Sequence, residues 1–135
     1  MNVMLDLNVL LDVIQVREPH YATSVDALDA VPRSGGVGFV PAHGITTIYY
    51  LVRGSAGKAK ADEAVMWMLD LFHVAALDKP DFIRARQLGM RDYEDAVVAA
   101  LAERYRCDYV LTRNDVDFER SPVPPCTPAE FIRLI

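Results

Sequence analysis

Val3-Met4-Leu5-Asp6-Leu7-Asn8-Val9-Leu10-Leu11-Asp12 begins with three apolar residues, stops at an acid, and resumes as an apolar run that continues to Gln15. Three apolar residues are too few for a helix and suit a buried strand, whereas the segment Leu7 to Gln15 suits a helix. The same grammar recurs along the chain. Short apolar runs stand at Gly38-Phe39-Val40, His73-Val74-Ala75-Ala76 and Tyr109-Val110-Leu111. Between them lie segments of helical periodicity. The clearest places Ala61, Ala64, Val65, Met68, Leu69 and Phe72 on one face, and another does the same with Tyr93, Ala96, Val97, Ala100 and Leu101 between Asp92 and Tyr105. Further helices are expected from His20 to Val31, Pro41 to Val52, Pro80 to Leu88 and Pro128 to Leu134, with Pro41 and Pro80 at helix starts, where a missing N–H costs nothing. Strands separated by helices imply parallel pairing through crossovers, hence an α/β fold: a three-layer α/β/α sandwich around a central, mostly parallel sheet.

The chain of 135 residues, 52% of them hydrophobic, is one domain spanning 1–135, able to bury a core and too short for two. No linker, repeat or low-complexity segment divides it. Asp6 and Asp12 interrupt the apolar opening, and no basic segment or cleavage site accompanies it, so the opening is not a signal peptide. No stretch approaches a membrane span, and a cytoplasmic protein with no membrane partner is expected. Cys107 and Cys126 are then reduced thiols rather than a disulfide. A net charge of -5 disfavours holding long nucleic acid by bulk electrostatics.

In a parallel sheet the functional site gathers at the carboxyl ends of the strands. Asp6 ends the first strand, and Thr112-Arg113-Asn114-Asp115-Val116-Asp117 follows the strand Tyr109 to Leu111, so both project from one edge. Two readings stand for Asp6: a cap for the helix it precedes, or a partly buried carboxylate that a cation neutralises. Asp92 and Asp95 lie on one side of a first helical turn. Acids there complement the helix dipole, which is reason enough for Glu94, yet two like charges at this spacing repel unless a cation sits between them. Asn114 and Asp117 add oxygen donors from the opposite side. The set Asp6, Asp92, Asp95, Asn114 and Asp117 suits Mg²⁺ or Mn²⁺ and matches Zn²⁺ poorly. No Ser or Cys nucleophile has a His and an acid beside it, and no phosphate-binding glycine loop is present. His20 and His73 read as ordinary positions, and His43 as a structural residue that could line a cleft.

The elements LDLNVLLD, RDYEDAVVAALA and VLTRNDVDF, in this order, resemble a PIN domain of the kind found in VapC-like toxins, and the resemblance covers essentially the whole chain. It implies a metal-dependent ribonuclease that hydrolyses RNA through metal-activated water, a homodimer, and an antitoxin partner. It also implies a terminal strand and helix within Pro124 to Phe131. Carried over by position, Asp6, Asp95 and Asp117 become the catalytic acids, with Asp92 accompanying Asp95 and Asn114 standing where Asp is usual. Asn8, Thr47 and Thr112 are expected substrate contacts, and Arg91 and Arg113 stand near enough to the acidic motifs in the sequence to contact phosphate. Thr47 stands where the family places a Glu, which removes one negative charge from the metal cradle.

Two other readings compete. Asp6-Leu7-Asn8 also resembles the opening of haloacid-dehalogenase-like phosphatases, but Asn8 cannot transfer a proton as that family's acid does, and none of the three lysines follows a strand end. Alternatively the fold is a module with weakened or absent catalysis that acts through protein or RNA binding. Met66 and Trp67 lie off the apolar face of the helix Ala61 to Phe72 and widen its hydrophobic circumference, so a homodimer or antitoxin contact is expected there unless the chain's own residues cover Trp67. The acids at one rim account for part of the charge of -5, and a bound cation would reverse the local sign.

Overall fold

A computed structural model describes all 135 residues. The elements follow in the order β1 (Val3–Leu5), α1 (Leu7–Ile14), α2 (Tyr21–Arg33), β2 (Gly38–Pro41), α3 (Ala42–Ala56), α4 (Lys58–Leu71), β3 (His73–Ala75), α5 (Lys79–Gln87), α6 (Tyr93–Arg104), β4 (Tyr109–Leu111), a 3₁₀ turn (Asp115–Phe118), β5 (Pro125–Cys126) and α7 (Pro128–Leu134). The sheet runs β3-β2-β1-β4-β5 and every pairing is parallel. The expected sandwich is present, and its sheet is wholly rather than mostly parallel. The terminal strand and helix are β5 and α7. No helix is long and apolar enough to cross a membrane.

Strand β1 is central and has no exposed surface, as a strand covered on both faces requires. Val3 and Leu5 point into a core built with α1, α2, α3, α4 and α7, while Met4 points the other way, toward α6 and Val110. Helix α5 packs outside α6 through Ala85, Ala96, Val97 and Ala100. Arg104 on α6 ties the two together, giving both oxygens of buried Asp81 a hydrogen bond at 2.7 and 2.9 Å. Both cysteines are free and buried, and burial pushes the Cys107 thiol up to about 12 and Cys126 to about 11.

Three details depart from the sequence reading. Pro41 is the last residue of β2 rather than the first of α3, and α3 runs on to Ala56. Helix α6 has no single apolar face: Ala96 through Ala102 are all buried, because the sheet lies on one side and α5 on the other, and Tyr93 is exposed instead. On α4, Leu69 faces solvent, while Trp67 is half-buried with its ring edge-on to Phe72 at 5.4 Å. The chain therefore covers Trp67 in part.

Candidate active site

All strand ends share one edge, so the residues following β1, β2 and β4, three adjacent strands, meet there. Asp6 continues β1, its N–H donating to Leu111 of β4 at 3.0 Å. Its side chain does two things at once. Oδ1 caps α1 by accepting from the Leu7 N–H at 2.8 Å, and Oδ2 accepts from the Thr112 hydroxyl at 2.7 Å. Thr112 is wholly buried, and its oxygen in turn accepts the Asn114 N–H at 3.0 Å and, more weakly, the Asn8 amide at 3.4 Å. Asn8 returns a carbonyl to the Arg113 N–H at 3.4 Å. Thr112 thus orients Asp6 and shapes the loop after β4 from inside the protein. Burial raises the Asp6 carboxyl above the ordinary range against the lowering effect of the Thr112 and Leu7 bonds.

The start of α6 supplies the opposite wall. Asp92 caps the helix, accepting the Asp95 N–H at 2.9 Å. Asp95 is half-buried, and burial, with the charges of Asp6, Asp92, Asp117 and Glu94 around it, pushes its carboxyl up to about 7. None of these five carboxylates is in an ion pair. A cleft of about 670 Å³ opens beside them, lined by Arg91, Asp92, Asp95 and Asp117 together with Glu119 and Arg120. Asn114 precedes the 3₁₀ turn and is exposed. Glu94, whose charge acts on both Asp6 and Asp95, belongs to the site, although its place in a first helical turn is explained equally well by the dipole. Arg120 lines the cleft with Arg91, and the sequence offered no signal for it beyond its charge.

Helix α3 contributes less directly than expected. Thr47 turns its hydroxyl back along the helix, donating to the His43 carbonyl at 3.1 Å, and Thr46 donates to the same oxygen at 3.0 Å. Arg113 is also engaged elsewhere: its Nε donates to Asp12 Oδ2 at 2.6 Å, and Asp12 is fully buried, with Ser24 as its other partner at 3.1 Å. The Arg113 side chain lines a separate hollow with His20, Thr23, Ser24 and Thr127 and takes no part in the cleft of Arg91.

The donors fit a hydrated divalent cation. They are carboxylate and amide oxygens, and none of the carboxylates is held in an ion pair. No three His, Cys, Asp or Glu side chains are gathered closely enough to hold an ion by themselves.

The sequence model of the PIN domain matches residues 2–115. The chain belongs to the PIN domain family. Among curated proteins no sequence matches it. Among solved structures this PIN domain is similar to VapBC2 from Rickettsia felis bound to a promoter DNA fragment, with a TM-score of 0.74, 15% identity, and coverage of 94% of this chain and 98% of that one. It is similar to DNA-bound VapBC from Salmonella typhimurium, with a TM-score of 0.70, 18% identity and coverage of 95% and 98%. VapC20 of Mycobacterium tuberculosis, a toxin that cleaves the sarcin-ricin loop, gives 0.67 at 13% identity, covering 80% of this PIN domain and 86% of its own chain. At these identities the likeness is one of fold.

Proposed function

We propose that this PIN domain is an endoribonuclease that uses Mg²⁺ or Mn²⁺ to hydrolyse RNA phosphodiester bonds, and that it is the toxin of a toxin–antitoxin pair. The observation that carries the reading is the set of carboxylates outside any ion pair at one sheet edge, where burial and then the neighbouring acids push Asp95 up to about 7, in a family-matched chain. Fold likeness to VapC toxins in complexes with their antitoxins supports the partner.

Asp6, Asp95 and Asp117 are the acids that hold the ion, with Asp92 and Asn114 beside them. When bound, such an ion stabilises charge developing on a phosphate and lowers the pKa of an attacking water. The rest falls to the protein. Thr112 fixes the rotamer of Asp6, so that one carboxylate serves both the helix cap and the site. Arg91 and Arg120, on the walls of the cleft, offer the positive charge that draws an RNA phosphate toward an otherwise acidic rim. The substrate is held weakly and with a shallow salt dependence, since few cationic side chains meet its phosphates.

The test is cleavage of structured and unstructured RNA with Mg²⁺ or Mn²⁺ by wild type, Asp6→Asn and Asp95→Asn. Wild-type cleavage lost in both variants is expected. Equal cleavage by all three would assign the activity to a contaminant, and no cleavage despite divalent binding would make the fold a binding module.

A further inference from the structure

A hollow of about 320 Å³ opens where the start of α2, the start of α7 and the loop after β4 meet, and His20, Thr23, Ser24, Arg113 and Thr127 line it. No acid is among its lining residues, in a chain whose net charge is -5. Arg113 is clamped there at one atom. Its Nε donates to Asp12 Oδ2 at 2.6 Å, and Asp12 is fully buried, with Ser24 as its second partner. Asp12 Oδ1 takes no bond, so the guanidinium is not forked onto the carboxylate, and its two Nη groups are left to the hollow, where the side chain keeps 26% exposure. A guanidinium held from behind loses freedom but none of its outward donors, and such a planar fork suits phosphate oxygens.

Helix α2 adds donors to the same hollow. It runs for 13 residues with no side-chain cap and no acid in its first turn, and the N–H groups of Tyr21, Ala22 and Thr23 reach no backbone carbonyl. Unfilled N–H groups at a helix start carry its positive end and receive anions. The Thr127 hydroxyl accepts the Glu130 N–H at 3.2 Å, which leaves its own proton to give. The acids adjoining the hollow are committed within the protein, Asp12 to Arg113 and Ser24, and Glu130 to the Thr127 N–H at 3.0 Å.

We propose that this hollow is a second phosphate subsite, which holds a backbone phosphate of the RNA next to the one that is cleaved. This inference rests on the acids being a nuclease centre. One loop joins the two places: Thr112 holds Asp6, the Arg113 N–H meets Asn8, and Asn114 stands among the donors for the ion. Its donors are guanidinium, amide and hydroxyl groups, so the subsite positions the strand and reads no base. Free inorganic phosphate presents the same oxygens, and the test separates the two sources.

Two variants probe the hollow in the full chain. Thr23→Asp sets a carboxylate among the donors at a first-turn position where acids stabilise a helix, and Arg113→Lys keeps a cation on Asp12 while removing the fork. Thermal melts show that each folds. Inorganic phosphate titrated into the metal-free, ¹⁵N-labelled protein should move the amide resonances of Tyr21, Ala22 and Thr23 in wild type and leave those of Thr23→Asp in place. In RNA cleavage both variants should raise KM by about 10-fold with kcat held within about twofold. The slope of log kcat/KM against log salt should flatten by about 0.7, the value of one phosphate on a single strand. Unmoved amides in wild type would overturn the hollow as an anion site. Moved amides, with KM and salt slope unchanged in both variants, would overturn RNA as the ligand and leave a site for free phosphate. No RNA cleavage by wild type with any divalent ion would overturn the nuclease reading, and RNA as the ligand with it.

Discussion

Asp6 answers to two masters, and each of its oxygens has a separate partner: the Leu7 N–H and the Thr112 hydroxyl. Capping and ion binding, which read as alternatives from the sequence, are compatible because a carboxylate accepts more than one bond per oxygen. Arg113 and Arg91 separate in the same way into structure and site. Arg113→Ala would leave Asp12 buried and unpaired, its other oxygen already without a partner, and should cost about 3–5 kcal/mol in a urea melt, whereas Arg91→Ala should leave stability unchanged and weaken RNA binding. Asp95 gives a pH prediction with a definite sign. Its carboxyl sits at about 7 in the fold against an ordinary 3.8, so the folded protein holds that proton more tightly than the unfolded chain. The resulting stabilisation is complete below the ordinary value and is lost as pH rises through the folded one. Metal-free Asp95→Asn, which stays neutral, should therefore be more stable than wild type near pH 8, by roughly 1 kcal/mol after allowance for the solvent that reaches the site. That corresponds to a rise of about 3–6 °C in Tm; equal melting temperatures would mean that the acids do not burden one another.

Elements were easier to read than the contacts between them. Short apolar runs and 3.6-residue periodicity locate β1 to β4 and all seven helices, because both signals are local. The failures are long-range. Helix α6 reads as one-faced, yet it is sandwiched between the sheet and α5 and buried around its circumference from Ala96 to Ala102. The Thr112–Asp6 bond joins residues 106 apart, and only the parallel register of β1 with β4 brings them together. Glu94 reads from the sequence as no more than an acid complementing the helix dipole, because which way a side chain faces at the sheet edge depends on how α6 is seated. Gly44 seats α3: a Cβ there would stand 2.5 Å from Leu7 Cδ2. Gly44→Ala forces Leu7 to move and should destabilise by about 1–3 kcal/mol, the range for overpacking a tight contact. Gly54→Ala on the same helix, where a Cβ meets nothing within 4 Å, should stabilise by about 0.5–1 kcal/mol. Chemical denaturation of the pair distinguishes a packing requirement from a general dislike of alanine in this helix.

Across the whole molecule the charge of -5 acquires a location. Asp6, Asp92, Glu94, Asp95 and Asp117 surround one edge, while Lys58, Lys60 and Arg84 are spent on surface pairs. The apo protein should bind RNA poorly, and a cation should convert the same rim into an attractive one. On α4, Met66, Leu69 and Leu71 are exposed beside a hollow lined by Val13, Val52, Ala64 and Trp67. If this apolar face joins two copies, light scattering should give twice the 15.1 kDa chain mass, and Met66→Glu, which disturbs no buried contact, should return it to the single mass. The most direct measurement concerns the centre itself: calorimetric titration of Mg²⁺ and Mn²⁺ into wild type, Asp6→Asn and Asp95→Asn near pH 8 and near pH 6. An ion whose ligands must shed a proton binds less tightly in acid. Wild-type affinity should fall by about 10-fold between the two pH values as Asp95 takes up its proton, and binding should be lost in both variants. Binding that is indifferent to pH and survives both substitutions would contradict a metal centre built from Asp6 and Asp95.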